Sequence, residues 1–411
     1  MYLGILTFLT AIAIWPGVPT FAWGPRWFLA AAGSAAYLFV VRIRPTPAHW
    51  WGLAFLLAAA ASYFWIDVKL EWYEGFIWYL GLAAAFLVGA EVKDLRPVWW
   101  GLGAGLSING LIALAQFFGY DYVPYINVPA GLFGNRVFMG EAAALALVGS
   151  VACRFWYFVP GSILALGLSQ SRGALLGVLG CGMIWLWKHW KGGVMVLLIA
   201  LPFFALASTG IVLPGTNKGA STMERVYLWS DSIDGLKPFG NGVGSFYTAA
   251  VKYGHRTQTT GLREAHAHND VLEAFFELGI LAIPLMVIFW MALFGPLTTE
   301  RYVLWCFVLV GLTGFPLHAP LTGFVGSLVA GYLVRGRYSV PCPVSLGYVD
   351  DSSRVTGAFA QIHQVWDLAK GCCYLPLRLL HSLTKPKYVI SLQDGGSKAD
   401  HAVRDYACKA E

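Results

Sequence analysis

The sequence consists mostly of apolar runs that are long enough to cross a lipid bilayer. A spanning helix needs about 20 predominantly apolar residues, and about twelve such runs follow one another here, several of them near the lower length limit. Only 12% of the residues are charged, against about 25% in soluble domains. These features predict an all-α, polytopic integral membrane protein with transmembrane helices at residues 2–22, 27–41, 50–66, 75–91, 98–118, 137–153, 155–169, 173–187, 193–213, 271–296, 302–317 and 320–334.

The basic residues of the short connectors predict how the chain is oriented, because cytoplasmic connectors carry an excess of Lys and Arg. With a cytoplasmic N-terminus, the cytoplasmic connectors and the segment after the last run hold ten basic residues: Arg42, Arg44, Lys93, Arg96, Arg154, Lys188, Lys191, Arg301, Arg335 and Arg337. The opposite connectors hold four: Arg26, Lys69, Arg136 and Arg172. Both termini are therefore predicted to be cytoplasmic, and the large polar loop after the ninth run, residues 214–270, is predicted to be periplasmic in a bacterium.

The chain divides by composition into two parts. Residues 1–334 form the predicted transmembrane domain, and residues 335–411 are a polar tail that is predicted to be cytoplasmic and shows no legible chemistry. Within the polar loop, residues 221–224 fit a capping box and apolar residues follow at helical spacing. A short amphipathic helix is therefore expected on the outer bilayer surface. The glycine-rich residues 238–244 predict a flexible turn after this helix.

Ionisable and amide side chains gather just before the run that begins at residue 271. His266, His268 and Asn269 stand close together there, and Glu273 is the third residue of the run. Membrane proteins seldom keep such groups at a bilayer boundary without using them, and histidine is the natural proton acceptor near neutral pH. The alternative is that these histidines are solvated loop residues, just as a single arginine at a boundary is usually a snorkelling anchor.

These residues resemble the signature of the superfamily of O-antigen ligases and O-antigen polymerases. In that signature a His-Asn pair is followed after nine residues by a glycine, and here His268 and Asn269 are followed by Gly279. Ala282 and Val137 stand where the family often has a second glycine and a second asparagine. The resemblance covers about residues 95–334, and its other elements occur in the family's order: FGNR at 133–136, SQSRGA at 169–174, ERVYLW at 224–229 and FGNGVGSF at 239–246.

The resemblance implies a fold similar to that of the C-type glycosyltransferases, with the large periplasmic loop after the ninth span. It also implies an enzyme of the bacterial inner membrane that transfers a glycan from an undecaprenyl-diphosphate carrier to a hydroxyl group of lipid A–core. Glycan polymerisation and protein O-glycosylation are the alternatives within the superfamily, and the sequence does not separate these reactions well, so the donor glycan, the acceptor and the oligomeric state stay open. The net charge of +6 is explained by topology and not by nucleic acid binding.

The implied reaction assigns a role to each candidate residue. His268 would accept the proton of the acceptor hydroxyl while that hydroxyl attacks the anomeric carbon with inversion. Arg172 and Arg225 would bind the pyrophosphate, since the guanidinium group matches phosphate geometry. No metal or other cofactor is expected, because phosphate is already a stabilised leaving group. The remaining candidates would bind the substrate or support the site: Arg136, His266, Asn269 and Glu273.

A polytopic transporter or lipid flippase without covalent chemistry is the alternative from another functional class. Such proteins more often show Gly- or Pro-interrupted helices in two matching halves, and no such pairing is visible in this sequence. Glu141 and Glu277 are each compatible with helix pairing and with a site role. The enzyme hypothesis requires that His268, Arg172 and Arg225 converge on one cavity at the level of the lipid headgroups.

Overall fold

The computed structural model describes residues 1–15, 22–41, 43, 45–120, 129–189, 218–254 and 266–338. All regular secondary structure in these ranges is helical, which confirms the predicted all-α class. Short 3-10 turns connect or extend some helices at Ser62–Phe64, Trp156–Phe158 and Gly279–Ala282. The α-helices are α1 (Tyr2–Ile12), α2 (Trp23–Val40), α3 (Pro47–Ala61), α4 (Lys69–Glu91), α5 (Arg96–Phe117), α6 (Arg136–Ala152), α7 (Val159–Ser169), α8 (Arg172–His189), α9 (Lys218–Asp234), α10 (Phe246–Tyr253), α11 (Asp270–Leu278), α12 (Ile283–Leu293), α13 (Thr299–Gly311) and α14 (Pro320–Tyr338).

Eleven of the predicted apolar runs contain helices in the expected order. The run 193–213 and residues 339–411 of the predicted tail lie outside the described residues, so the predicted number of spans stays a prediction. Three helical segments within the described ranges are long and apolar enough to cross a membrane by length and composition: Lys69–Glu91, Arg96–Phe117 and Asp270–Leu293.

Glycines allow the helices at the centre of the bundle to pack backbone against backbone. A Cβ atom on Gly89 of α4 would lie 1.9 Å from the carbonyl oxygen of Leu328 in α14. A Cβ atom on Gly331 of α14 would lie 2.0 Å from the carbonyl oxygen of Phe86 in α4. Small residues serve this purpose in membrane helices, because lipid provides no hydrophobic drive for helix association and close packing has to hold the helices together.

Contacts between connectors group them at the two ends of the bundle. At one end the large polar loop meets the connector after α3, where the backbone N–H of Val243 donates to Ser62 Oγ at 3.1 Å. At the other end Lys188 Nζ, late in α8, donates to the carbonyl oxygen of Leu297 at 3.3 Å. Each contact joins connectors that were predicted to share a side of the membrane. Which end faces the cytoplasm stays a prediction.

Arg26 is a buried structural residue, although its position between two apolar runs suggested a connector cation. Only 2% of it is exposed. Its guanidinium donates to the carbonyl oxygens of Thr10, Ala11 and Leu132, each at 3.0 Å, and lies 3.9 Å from the centre of the Phe133 ring. Arg26 therefore ties α1 and α2 to the segment before α6, because a buried cation is tolerated only when its donors are satisfied.

The polar loop contains more structure than the sequence indicated. The amphipathic helix α9 begins at Lys218, so Ser221 lies inside the helix and the capping box prediction was wrong. A second helix, α10, follows it. The glycine-rich residues between them were predicted to be a flexible turn, but they are packed against other elements. A Cβ atom on Gly240 would lie 2.1 Å from the carbonyl oxygen of Glu277, and one on Gly244 would lie 2.3 Å from that of Glu71.

Candidate active site

The His-Asn pair forms the N-terminus of α11. Asn269 is the N-cap residue, and its side-chain oxygen accepts a hydrogen bond from the backbone N–H of Leu272 at 3.0 Å. The same amide group donates from Nδ2 to the carbonyl oxygen of Leu312 at 3.2 Å. His268, just before the cap, has a φ of +51°, which is uncommon for a residue with a side chain. Asn269 therefore fixes the start of the helix and its contact with a neighbouring connector.

Three carboxylates lie on the inner face of α11, at the spacing that places residues on one side of a helix. Asp270, Glu273 and Glu277 are 8%, 1% and 2% exposed. A buried carboxylate is costly unless it is paired and hydrogen-bonded. Each of the three finds a different set of partners, and these partners define the architecture of the site.

Glu273 holds the predicted residue His266. The Nδ1 of His266 lies 2.8 Å from Glu273 Oε1, and the backbone N–H of Ala267 donates to the other carboxylate oxygen at 2.8 Å. The carbonyl oxygen of Ala267 in turn accepts a bond from Trp229 Nε1 of α9 at 2.8 Å. Two predicted site residues are thus brought together, and α9 holds the segment that carries them.

His318 is a residue of this site that the sequence analysis missed. Its Nδ1 lies 3.1 Å from Asp270 Oδ1, and its Nε2 lies 3.6 Å from Glu273 Oε1 and 3.4 Å from the hydroxyl oxygen of Tyr79 in α4. His318 lies in the two-residue gap between two predicted apolar runs, and Pro316 stands near the end of the first run. A Pro next to a gap that contains a His was the signal that could have marked a polar turn.

The surroundings of His318 favour its charged form. Burial by itself lowers the pKa of the His318 imidazole, but the carboxylates of Glu273 and then Asp270 outweigh burial and raise this pKa to about 10. An imidazolium therefore lies between two carboxylates at neutral pH, and this arrangement is one in which buried charges are compensated.

Residues 312–318, which we call the 312–318 turn, contact side chains from three other parts of the chain. Arg225 of α9 donates to the carbonyl oxygen of Thr313 at 2.9 Å. The Phe315 ring lies 4.8 Å from both histidine rings, stacked on His266 and edge-on to His268. From α6, the Glu141 carboxylate accepts the backbone N–H of Phe315 at 3.3 Å. The predicted span 302–317 was therefore too long, since α13 ends at Gly311 and this turn follows.

Arg172 and Arg136 differ in their relation to this turn. Arg172 is the first residue of α8, and the following Gly173 is so close that a Cβ atom there would lie 2.7 Å from Thr313 Oγ1. Arg136 begins α6 and is partly exposed. Within the described part of the chain, its side chain has no hydrogen bond or ion pair. The structure thus brings Arg172 and Arg225 to one turn with the His-Asn pair, and Arg136 is not tied to it.

The glycine-rich turn supports α11 from the other side. The Glu277 carboxylate interacts with the backbone N–H groups of Gly244 and Phe246. The backbone carbonyl oxygen of Glu277 accepts a hydrogen bond from the N–H of Gly242 at 2.8 Å. Gly279, the glycine of the His-Asn signature that the sequence resembles, has a φ of +56°, and a Cβ atom there would lie 2.2 Å from the carbonyl oxygen of Pro238. Glu277 therefore binds the backbone of the glycine-rich turn, and Gly279 allows the end of α11 to pack against the start of that turn.

Three groups of this site are close enough to share a metal ion. His266, Glu273 and His318 each offer an atom that lies within 4.8 Å of the other two, a spacing that one ion could bridge. In the structure, however, the same side chains already contact each other and Asp270 through His266 Nδ1 and His318 Nδ1.

A comparison with known families identifies the region that contains these residues. Residues 157–287 match the family model described as O-antigen ligase. The match includes α7 to α11, and with them Arg172, Arg225 and the His-Asn pair. No curated protein matches the chain. Members of this family are integral membrane proteins of the ligase and polymerase type of glycosyltransferase, with a role in lipopolysaccharide biosynthesis. Residues 157–287, about a third of the chain, are therefore similar to the O-antigen ligase family.

Proposed function

We propose that the protein transfers a glycan from an undecaprenyl-diphosphate carrier to a hydroxyl group of lipid A–core at the periplasmic face of the bacterial inner membrane. The observation that carries this proposal is the convergence on the 312–318 turn, where Arg225 binds the Thr313 carbonyl and the His-Asn pair contacts Leu312 and Phe315. Cations and a proton acceptor from separate parts of the chain thus meet at one end of the bundle, as this reaction requires.

His268 is the proposed general base. The acceptor hydroxyl oxygen attacks the anomeric carbon of the donor, and the bond from this carbon to the diphosphate oxygen breaks. The diphosphate leaves with the bonding electron pair, while the hydroxyl proton moves to the imidazole of His268. Because attack and departure occur on opposite faces, the anomeric configuration is inverted. Asn269 places His268 by capping α11.

Arg172 and Arg225 are the proposed ligands of the diphosphate, with Arg136 as a further substrate contact. The bond from Arg225 to Thr313 fixes the direction of its guanidinium group. Arg172 begins a helix, and the partial positive charge of a helix N-terminus adds to its attraction for an anion. Charge that develops on the leaving group is thus stabilised by side chains and backbone. We therefore expect transfer to proceed in the presence of EDTA.

An apolar groove next to the site supports a lipid-linked donor. Its volume is about 230 Å³, and it runs between α12 and α13 from the middle of the apolar helices to Asp270 and Leu317 of the site. Aromatic side chains line it, among them Phe289, Trp290 and Phe307. A polyprenyl tail in this groove would leave the attached diphosphate at the end of the bundle where the arginines lie.

The test in cells is the substitution His268→Ala in a strain that makes a surface polysaccharide. We expect loss of glycan on lipid A–core and accumulation of carrier-linked glycan. His49→Ala is the matched control, because His49 lies at the predicted cytoplasmic side and contacts Thr46. Both variants are compared at equal amounts in the membrane. Shortened glycan chains would instead indicate a polymerase, and normal glycan with impaired solute uptake would indicate a transporter.

A further inference from the structure

A chain of polar contacts lies behind His266, and the proposed reaction does not use it. Asp270 contacts His318 Nδ1 at 3.1 Å, His318 Nε2 faces Glu273 at 3.6 Å, and Glu273 contacts His266 Nδ1 at 2.8 Å. His318 and the carboxylates are buried, whereas the His266 side chain is 30% exposed. The chain therefore leads from the protein interior to a ring that is open to a substrate.

We propose that His318 is a positioning residue of the transfer reaction: it holds the Glu273 carboxylate so that this carboxylate fixes the tautomer and the direction of His266. The proposal rests on the glycosyl transfer proposed above. With Nδ1–H of His266 donating to Glu273, the second ring nitrogen, Nε2, is an acceptor. An acceptor nitrogen on an exposed ring next to the proposed base suits a sugar hydroxyl of the substrate.

The position of Glu273 depends on more than its bond to His266. Its Oε2 accepts the Ala267 N–H, and its Oε1 faces both imidazoles, 2.8 Å from His266 Nδ1 and 3.6 Å from His318 Nε2. Together these three contacts restrict the orientation of the carboxylate. The ring of His318 is itself held in place, since the backbone N–H of Leu317 donates to Asp270 at 2.9 Å.

Among the described residues, α11, α4 and the segment before α11 contribute groups that face His318. Asp270, Glu273 and Glu277 belong to α11, the hydroxyl of Tyr79 comes from α4, and the His266 ring lies 4.9 Å away. The carboxylates attract the imidazolium, and the phenol hydroxyl can accept from its Nε2–H. Among these groups, Glu273 is the one that also contacts His266, so it connects His318 to the ring that faces the substrate.

Two substitutions separate this role from a structural one. The side-chain amide of asparagine places an N–H group near the Nδ1 position of histidine, and that of glutamine places one near the Nε2 position. His318→Asn therefore keeps the contact with Asp270, which holds the 312–318 turn. His318→Gln keeps an N–H group that faces Glu273. Both variants lose the positive charge, so they are matched in this respect.

The experiment measures transfer kinetics and the tautomer of His266 for both variants in lipid nanodiscs. We expect a kcat for His318→Asn about 10-fold or more below that of His318→Gln. In protein with ¹⁵N-labelled histidine at pH 8, the wild type and His318→Gln should show His266 protonated at Nδ1, and His318→Asn should show mixed tautomers. His266→Gln assigns the signals.

Two results would overturn the proposal. One is a kcat of His318→Asn equal to or above that of His318→Gln, because the effect would then follow the contact with Asp270. The other is a His266 tautomer that is protonated at Nε2 in the wild type or that does not respond to His318→Asn. The tautomer measurement needs no substrate, so it decides the proposal even if the wild type fails to transfer glycan, a failure that would refute the proposed function itself.

Discussion

Replacing Glu273 with glutamine removes the charge at the centre of the site while it preserves the shape of the side chain. The Glu273 carboxylate accepts two hydrogen bonds of 2.8 Å, from His266 and from the Ala267 N–H, and faces His318 at 3.6 Å. Glutamine has one acceptor oxygen, so its NH₂ group must face one of these donors. The Glu273→Gln variant therefore loses at least one hydrogen bond and leaves His318 with one carboxylate fewer.

The size of this effect follows from these contacts. A hydrogen bond to a charged group contributes about 1.5–3 kcal/mol, and removing one partner of a buried ion pair costs about 3–5 kcal/mol. We expect Glu273→Gln to lower the free energy of unfolding by about 3–5 kcal/mol. If His266 also loses its orientation, we expect kcat to fall about 100-fold, which corresponds to about 2.7 kcal/mol in the activation free energy.

The assay combines thermal unfolding in detergent with transfer kinetics at a temperature where the variant is folded. Glu277→Gln is the matched control, since Glu277 lies one turn further along α11, is equally buried and interacts with backbone N–H groups of the glycine-rich turn. We expect a smaller loss of both stability and kcat for this control, because its hydrogen-bond partners are backbone N–H groups and not the two histidines. A Glu273→Gln variant with wild-type stability and wild-type kcat would show that neither folding nor transfer needs the charge of Glu273.

Three further predictions follow from the same structure. The pKa of His318 is raised from 6.5 to about 10. The contribution of this shift to stability, about 5 kcal/mol, should therefore be complete below pH 6.5 and lost as the pH rises through 10. Thermal unfolding measured from pH 6 to 10 should show this decline, and the His318→Gln variant should show a flatter pH dependence. Gly279→Ala should lower stability by about 1–3 kcal/mol and impair transfer, because its Cβ would meet the Pro238 carbonyl; an unchanged melting temperature would contradict this. In a cysteine-free background, an impermeant thiol reagent applied to intact spheroplasts should label Lys252→Cys but not Trp156→Cys, both exposed residues; the reverse pattern would reject the proposed orientation.

Much of the architecture could be predicted from local sequence, because a membrane-spanning helix is recognisable as a long run of apolar residues. The fixed spacing between Asn269 and Gly279 in the signature also has a local structural reason. Asn269 caps the N-terminus of α11, and Gly279 ends the same helix with a positive φ. The enzyme hypothesis required Arg225 to lie near the His-Asn pair. In the structure, Arg225 is held there by its hydrogen bond to the Thr313 carbonyl oxygen, a contact that no short-range sequence pattern specifies.

His318 shows why the rest was not predictable from the sequence. It is separated from Asp270 by 48 residues, and the carboxylates that surround it are recognisable as its partners only when α11 and the 312–318 turn are side by side. The turn itself was hidden within an apolar run, since Leu312, Phe315 and Leu317 differ little in hydropathy from the helix before them. Tertiary contacts thus override the local pattern here.

The same limitation applies to the glycine-rich turn, where glycine content alone suggested flexibility. In the structure these glycines have positive φ angles and are in contact with the backbone of α4 and α11. Glycine permits close approach as readily as it permits motion, and only the neighbouring backbone, here that of Glu71 and Glu277, decides between the two.

His268 is proposed to promote transfer of a glycan from a polyprenyl-diphosphate carrier to an acceptor hydroxyl. This role is tested by reconstituting the purified protein in liposomes with undecaprenyl-diphosphate-linked glycan and lipid A–core, followed by mass analysis of the acceptor. We predict that the wild type yields a glycosylated acceptor with inverted anomeric configuration and that His268→Ala reduces the rate at least about 100-fold, the scale of removing a general base. Equal rates for the two proteins, or no transfer from the carrier by folded wild-type protein, would contradict the account.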